Sequence, residues 1–401
     1  MDSIYKMRNT IQPYAWGSRR MLAEFLNQTT PSAGPEAELW MGAHPKAPSL
    51  IQTAAGWENL DAIIRRSPDQ FLGSEVRARF GRQLPFLFKV LAVGRPLSLQ
   101  AHPDKQQAME GYERENAQGI PLNAAQRNYR DKNHKPECIC ALTPFQALCG
   151  FREPDDALPL LEPLWPADLR AELEHLSRGW RPFYEFLVSR SVDWRRHVCR
   201  HAAERASSLA DRAAVFEWVE RLHRYYPGDI GILAPVLLNL VHLSPGEALF
   251  LPAGQLHAYL HGMAVEIMAN SDNVLRGGLT SKHIDGAELI RILEFRSLAV
   301  HTLALRSDGP AEQTYLSPAD EFRLSRIRVE GSGEMAVTSR GPEILLCSQG
   351  NLRIRGAEER GIELGRGESV FIPAASDRYW LSGRAELFRA TVNFEEIQRL
   401  H

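Results

Sequence analysis

Cysteine is scarce. The five thiols, Cys138, Cys140, Cys149, Cys199 and Cys347, are odd in number and scattered over 401 residues. No disulfide framework is expected from them, and they read as reduced. Long apolar runs are missing too: none approaches the roughly 18 residues of a membrane helix. The opening Met1-Asp2-Ser3-Ile4-Tyr5-Lys6 has neither the basic region nor the apolar stretch of a secretory leader. A cytoplasmic protein, monomeric or weakly oligomeric, is the expectation. Charge of one sign is not in excess either, since 47 Lys and Arg nearly cancel 49 Asp and Glu. That balance argues against a nucleic-acid or membrane-surface partner. Two motif classes are absent as well: the cysteine and histidine spacings of structural zinc, and the Gly-x4-Gly-Lys-Ser/Thr of a P-loop. What is present is an ordinary soluble composition, 44% apolar and 24% charged, in a chain long enough for two or three domains.

Residues 1–60 are rich in Gly, Pro and Trp and read as short strands and loops. Leu60, Ile63, Ile64 and Phe71 fall near a 3.6 period, which predicts helix over 57–80. Leu84 to Val93, broken only by Lys89, predicts a buried strand, and Leu97 to His102 begins another. From about Pro154 to Asn239 the period turns helical, with Leu173, Trp180, Phe183, Phe186, Leu187, Val215, Trp218, Val219 and Leu222 at helical spacing. Strands are expected again near Ala248, and the chain is β after Ser297. The fold class is therefore mainly β with an inserted α-helical domain. The expected parts are a discontinuous metal-binding domain (1–152 and 237–290), a helical insertion (153–236) and a C-terminal domain without a metal site (291–401).

One stretch organises the rest. Ala248 to Leu251 reads as a buried strand that Pro252 and Gly254 end with a sharp turn, leaving His257 just beyond. The spacing Gly-x5-Pro-x-Gly-x2-His, from Gly246 to His257, matches the second signature of the cupins. Cupins are small double-stranded β-helix, or jelly-roll, barrels that hold a metal at the mouth. A second copy follows: Leu364-Gly365-Arg366-Gly367-Glu368-Ser369-Val370-Phe371-Ile372-Pro373-Ala374-Ala375 resembles Leu243 to Gly254, with Arg378 where the first copy has His257. A guanidinium does not ligate a metal. Two cupin-type barrels follow, the first alone with a metal.

Gln100 and His102 are two apart and share one face of a strand. In Asn133-His134-Lys135-Pro136-Glu137 the strand period puts Glu137 opposite in sense to Cys138 and Cys140, which removes a thiolate site. With His257, the set Gln100, His102 and Glu137 suits zinc, and less selectively manganese or iron. Asp272, Arg276, Gly277, Gly278 and Lys282 form a polar run of the composition that holds a phosphate. Taken alone, Arg276 reads equally well as a surface ion pair and Asp272 as a turn cap. Lys89 inside an apolar strand is better explained by a pocket, because a buried ammonium is costly unless paired or functional.

These residues resemble a known family. Tyr129-Arg130-Asp131-Lys132-Asn133-His134-Lys135-Pro136-Glu137, and the run from His257-Ala258-Tyr259-Leu260-His261-Gly262 to Lys282, are similar to the two signatures of the type I mannose-6-phosphate isomerases. Gln12 to Ser18, Glu38 to Gly42 and Leu99 to Asp104 resemble further family segments. The resemblance implies one zinc ion on Gln100, His102, Glu137 and His257, and a catalytic Arg276. It implies pocket roles for Glu38, Lys89, Lys135, Tyr259, Glu266, Asp272 and Lys282. The substrate implied is a small phosphorylated sugar, with mannose 6-phosphate and fructose 6-phosphate interconverted through an enediol. Lys135, His134 and Glu266 are all candidates to move the proton. Gly277 and Ser281 depart from the Ala and Pro usual in the family, and a looser loop beside the phosphate is expected from them. Two other classes are weighed. A sugar-sensing cupin without turnover would not need the basic pair beside Gly277-Gly278. A cupin oxygenase would more often use three histidines.

Overall fold

The computed structural model of the chain describes residues 4–331, 333–357 and 361–395. Phe86–Val93 is a strand buried at every residue. Covered on both faces, it needs no polar alternation, hence its continuous apolar run. It pairs antiparallel with His257–Ala269 on one side and Glu38–Met41 on the other, inside a 10-stranded sheet. The long strand His257–Ala269 also meets Glu137–Ala141, Phe145–Phe151 and, at its first residue, Leu99–Ala101. It thereby gathers segments that are distant in sequence. Register divides Glu137–Ala141 as its period of two predicts. Cys138 and Cys140 join the core of Val90 and Val265, while Ile139 and Ala141 pack with Tyr259 on the opposite side.

Residues 154–237 are helical, from Pro154–Leu161 to Ala234–Leu237. They bury Trp180, Phe183, Trp218 and Leu222 in a core that continues into Leu99 and Leu275 of the sheet and into Leu256 and Leu279 beside it. Strand structure resumes earlier than expected near Ala248: Leu238–Leu243 pairs with Phe145–Phe151. This edge strand is Leu-rich and follows a helix without a breaker, so the change of period is hidden. The helix expected over 57–80 is three short ones, Leu60–Arg66, Pro68–Leu72 and Ser74–Phe80, cut at Pro68 and Gly73.

The remaining strands form an 11-stranded antiparallel sheet. It contains the strands after residue 300 and also Tyr5–Arg8, Leu50–Thr53 and Gly56–Asn59. Tyr5–Arg8 lies between Ser369–Ile372 and Leu50–Thr53. Met7, Ile51, Val90, Val265, Ile344 and Phe388 share one core, which joins the two sheets. The repeated sequence folds alike in both copies. Ala248–Leu251 and Ser369–Ile372 are four-residue strands, and each is followed by a turn and a long strand that begins at His257 or at Arg378.

Candidate metal centre

Three strand ends converge. His257 and Glu137 open their strands, and His102 directly follows Leu99–Ala101. Gly254, at φ 77°, takes the left-handed backbone that the turn into His257 requires. Its amide donates to the His102 carbonyl (2.8 Å) and so ties two of these segments together. His102, Glu137 and His257 are no more than 2% exposed, and one ligand atom from each lies within 4.8 Å of the others.

The imidazole nitrogens are differentiated by their surroundings. His102 Nδ1–H donates to the Asn273 carbonyl (2.7 Å) and His257 Nδ1–H to the Gln255 carbonyl (2.9 Å). Each ring therefore presents an Nε2 lone pair inward. His102 Nε2 is 3.2 Å from one Glu137 oxygen, and His257 Nε2 is 3.5 Å from the other. These approaches lack hydrogen-bond geometry, so both Nε2 atoms are buried without a hydrogen-bond partner. Burial, and next the Lys135 ammonium, lower the His102 pKa to about 4, so its ring is neutral near pH 7. Burial pushes the Glu137 carboxyl up, but Lys135 and His102 outweigh it and hold the pKa well below the usual range. Two neutral imidazoles and a carboxylate fit a zinc ion and the harder divalent metals. Gln100 sits directly across the sheet from His257 and lines the adjoining cavity.

That cavity has a volume of about 840 Å³ and is walled by a chain of buried charges. Lys135 Nζ is 2.8 Å from Glu137. The Tyr259 hydroxyl stands between Glu137 (3.1 Å) and Glu266 (3.2 Å), and burial and both carboxylates raise its pKa. Lys89 pairs with Glu266 (2.9 Å) and Glu38 (3.5 Å), and the Trp40 indole N–H donates to Glu38 (2.5 Å). Burial works against the Lys89 ammonium, yet Glu266, Glu38 and Glu137 together keep it charged above the ordinary lysine range. Glu266 is pushed up by burial and Glu137 against the pull of Lys89. Counted at their ordinary ionisation, the three carboxylates Glu38, Glu137 and Glu266 and the two ammoniums Lys89 and Lys135 sum to −1, which a bound divalent cation would turn into +1.

The cavity is also lined by cations. Arg276 lies across the sheet from Gln100, and Lys282 and Arg130 line the same cavity. None of the three has a side-chain ion pair or hydrogen bond among the described residues. Burial and Arg130 lower the Arg276 pKa; burial, Arg276 and Arg130 lower that of Lys282. Asp272 also lines the cavity, paired with Lys46 (2.8 Å) and near His44 (3.6 Å). Burial would raise its carboxyl, but His44 and Lys46 hold it below the usual range.

Of the residues singled out in the sequence, His134 is not brought to this wall. Its Nε2 lies 2.6 Å from Glu321, and it does not line the cavity. Two residues escaped the sequence reading. Asn273, fully buried, accepts the amides of Arg130 (2.7 Å) and Asp131 (3.2 Å) and donates to the carbonyls of Asp131 (2.9 Å) and Asn133 (2.8 Å). Its own carbonyl takes the His102 Nδ1–H. Arg130 is the second. Their only signal was the polar density of the runs that contain them.

A buried two-histidine, one-glutamate cluster that opens on a cavity with an unpaired cationic wall defines a metal-site protein shaped for a small anionic ligand. Residues 4–154 match the family model described as phosphomannose isomerase type I, catalytic domain. The chain is 41% identical over 392 residues to the mannose-6-phosphate isomerase of Salmonella typhimurium, covering 96% of this chain and 98% of that one. It is 34% identical over 408 residues to the human enzyme, covering 92% and 93%. A zinc-bound crystal structure of mannose 6-phosphate isomerase superposes with a TM-score of 0.89 at 38% identity, covering 98% of this chain and all of that one. The chain belongs to the type I phosphomannose isomerases.

Proposed function

We propose that the chain is a zinc-dependent aldose–ketose isomerase that interconverts mannose 6-phosphate and fructose 6-phosphate through an enediol. The observation that carries this reading is the pair of buried Nε2 atoms without hydrogen-bond partners, aimed at the Glu137 carboxylate, beside a cavity lined by unpaired cations. Zinc on Gln100, His102, Glu137 and His257 supplies a Lewis acid for negative charge developing on a substrate oxygen. The chain's own residues do the rest. Arg276 and Lys282 receive the phosphate, and that remote binding positions the reacting carbons. Arg276, whose strand pairs with that of Gln100, is the stronger candidate of the two to meet the developing charge. Moving a proton between C2 and C1 needs a group within hydrogen-bond reach of both. Lys135 and Glu266 face the cavity, and the raised pKa of Glu266 suits a carboxyl that both accepts and returns a proton. Glu38, Lys89, Tyr259 and Asp272 hold the sugar hydroxyls and fix the charges of this pair. The same reading takes the two repeats as cupin-type barrels. Residues 1–152 and 237–290 then make the metal-binding domain, 153–236 the helical insertion and 291–401 the second barrel.

Metal analysis by mass spectrometry and a coupled isomerase assay test this together. About one zinc per chain is expected, with turnover of mannose 6-phosphate that a chelator removes and added zinc restores. Folded, zinc-loaded protein that leaves mannose 6-phosphate unchanged would refute the reading.

A further inference from the structure

We propose that Arg130 is a third phosphate-binding residue, completing with Arg276 and Lys282 a three-cation anchor; the substrate assignment rests on the isomerase reading above. The run from Arg127 to Glu137 is crowded with charge, and nearly all of it is internally matched. Arg127 pairs with Glu115 (2.9 Å), Lys132 with Glu113 (3.0 Å), His134 with Glu321 (2.6 Å) and Lys135 with Glu137 (2.8 Å). Asp131 accepts from the Ser271 hydroxyl (2.9 Å) and the Asp272 amide (2.7 Å). Arg130 alone in this run has no side-chain partner among the described residues, and it lines the cavity that Arg276 and Lys282 line.

Its root is rigid. The Asn273 side chain accepts the Arg130 amide (2.7 Å), and Glu115 accepts the amides of Asn128 (3.1 Å) and Tyr129 (2.9 Å). A guanidinium on so fixed a backbone does not swing free like one on a loose loop. Its proximity to Arg276 and Lys282 is felt by both, whose charged forms it disfavours. Three like charges gathered without a counter-ion are a poor arrangement for the empty cavity and a good one for a phosphate monoester. That group carries about −1.5 to −2 at pH 7 and three strong acceptor oxygens. An Arg fork adds two directed bonds where a Lys adds a point charge. Asn273 also fixes His102 through its backbone carbonyl, so one buried residue ties a metal ligand to the anion anchor.

The test is Arg130→Gln, with Arg130→Lys as the conservative partner, both checked for zinc content and melting temperature. Steady-state kinetics on mannose 6-phosphate and titration with inorganic phosphate are then compared with wild type. In Arg130→Gln, KM is expected to rise about 10- to 100-fold, the loss of one charge-assisted bond. Phosphate affinity should fall by a similar factor, with zinc unchanged and any loss in kcat smaller than the rise in KM. Arg130→Lys should recover part of both. Unchanged KM and phosphate affinity would make Arg130 a solvated bystander and overturn the proposal. A fall in kcat at constant KM and phosphate affinity would overturn it too, placing the side chain at the reacting carbons. If the wild type fails to turn over mannose 6-phosphate, the isomerase reading falls, while the phosphate titration still decides whether Arg130 anchors the anion.

Discussion

A histidine that is 2% exposed, with its pKa lowered to about 4, enters the folded state without a proton. In the unfolded chain the same ring has its ordinary value of 6.5. Between these two values the unfolded state binds the proton and the native state does not, so acidification favours unfolding. Glu137 acts in the same direction lower down: its depressed pKa gives stability above 4.5, its ordinary value, which is lost as pH falls further. Urea melts of the chelator-stripped protein should therefore show stability rising with pH from about 4 to about 6.5, and His102→Gln should flatten that rise. An equally steep slope in the variant would sink the assignment. At this scale the sequence was most legible where a side chain acts through its own chemistry. His102 and Glu137 could be chosen by ligand type and strand period, and His257 by the spacing of the turn that precedes it. Asn273 could not, because it works through backbone amides and carbonyls that only the folded chain brings to it. Arg130 escaped for a related reason: having no partner becomes informative only once the partners of its neighbours are known.

The strand Leu275–Gly278 carries Arg276, and its exit carries Lys282. The helical region holds this element from behind. The Tyr184 hydroxyl reaches the Gly277 carbonyl (3.4 Å), and Asp229 accepts the Thr280 amide (3.3 Å) and the Gly231 amide (2.8 Å). Leu279, between them, is buried at φ 55°, a left-handed backbone costly for a branched residue and kept by its surroundings. Gly277 was expected to loosen this loop; the packing gives it a different meaning. A Cβ there would stand 2.9 Å from the Tyr184 hydroxyl and 3.1 Å from Leu256 and Leu289, so Gly277 is the residue that lets Tyr184 close on the strand. Gly277→Ala should cost about 1–3 kcal/mol by overpacking and raise KM for the phosphorylated substrate. Adding Tyr184→Phe, which removes the nearest atom, should recover part of the loss. Urea midpoints and KM measured on the two single variants and the double decide it; additive losses would show that the two residues do not meet. Other elements were lost to weak patterns. Lys105–Ala117 is polar over most of its surface, and its one strong signal, the capping box of Asp104 with Gln107, went unread. Gly286–Ile292 is too short for a period to register.

Across the whole molecule, the two ends of the chain are joined in one sheet by pairings that no local pattern carries. Tyr5 pairs with Phe371, and Lys6 with Val370. The alternation of four N-terminal residues does not say which of the many strands will take them, so the sharing of a sheet by the two ends of the chain was not legible. Mainly-β class, helical region and the repeat were, because each rests on periods within one segment. His134 belongs to this larger scale. It stands in the signature run beside Lys135 but turns away from the cavity to Glu321, just ahead of the strand Arg323–Val329 of the other sheet. Glu321 is 7% exposed, and burial alone would raise its pKa; His134 more than offsets that and holds it below the usual range. A depressed carboxyl contributes stability above its unfolded value and loses it as pH falls. Removing the imidazole leaves a buried carboxylate with its main partner gone. His134→Ala is thus expected to lower stability by about 1–3 kcal/mol near pH 7 while kcat stays within about threefold. The loss should shrink as the pH drops through the carboxyl range, where Glu321 takes up a proton and no longer needs the imidazole. Denaturation at pH 7 and pH 4, with kcat from the coupled assay, separates the two roles. A hundredfold fall in kcat at unchanged stability would mean that His134 leaves Glu321 during turnover and reaches the substrate, and that the bridge between the sheets opens with every cycle.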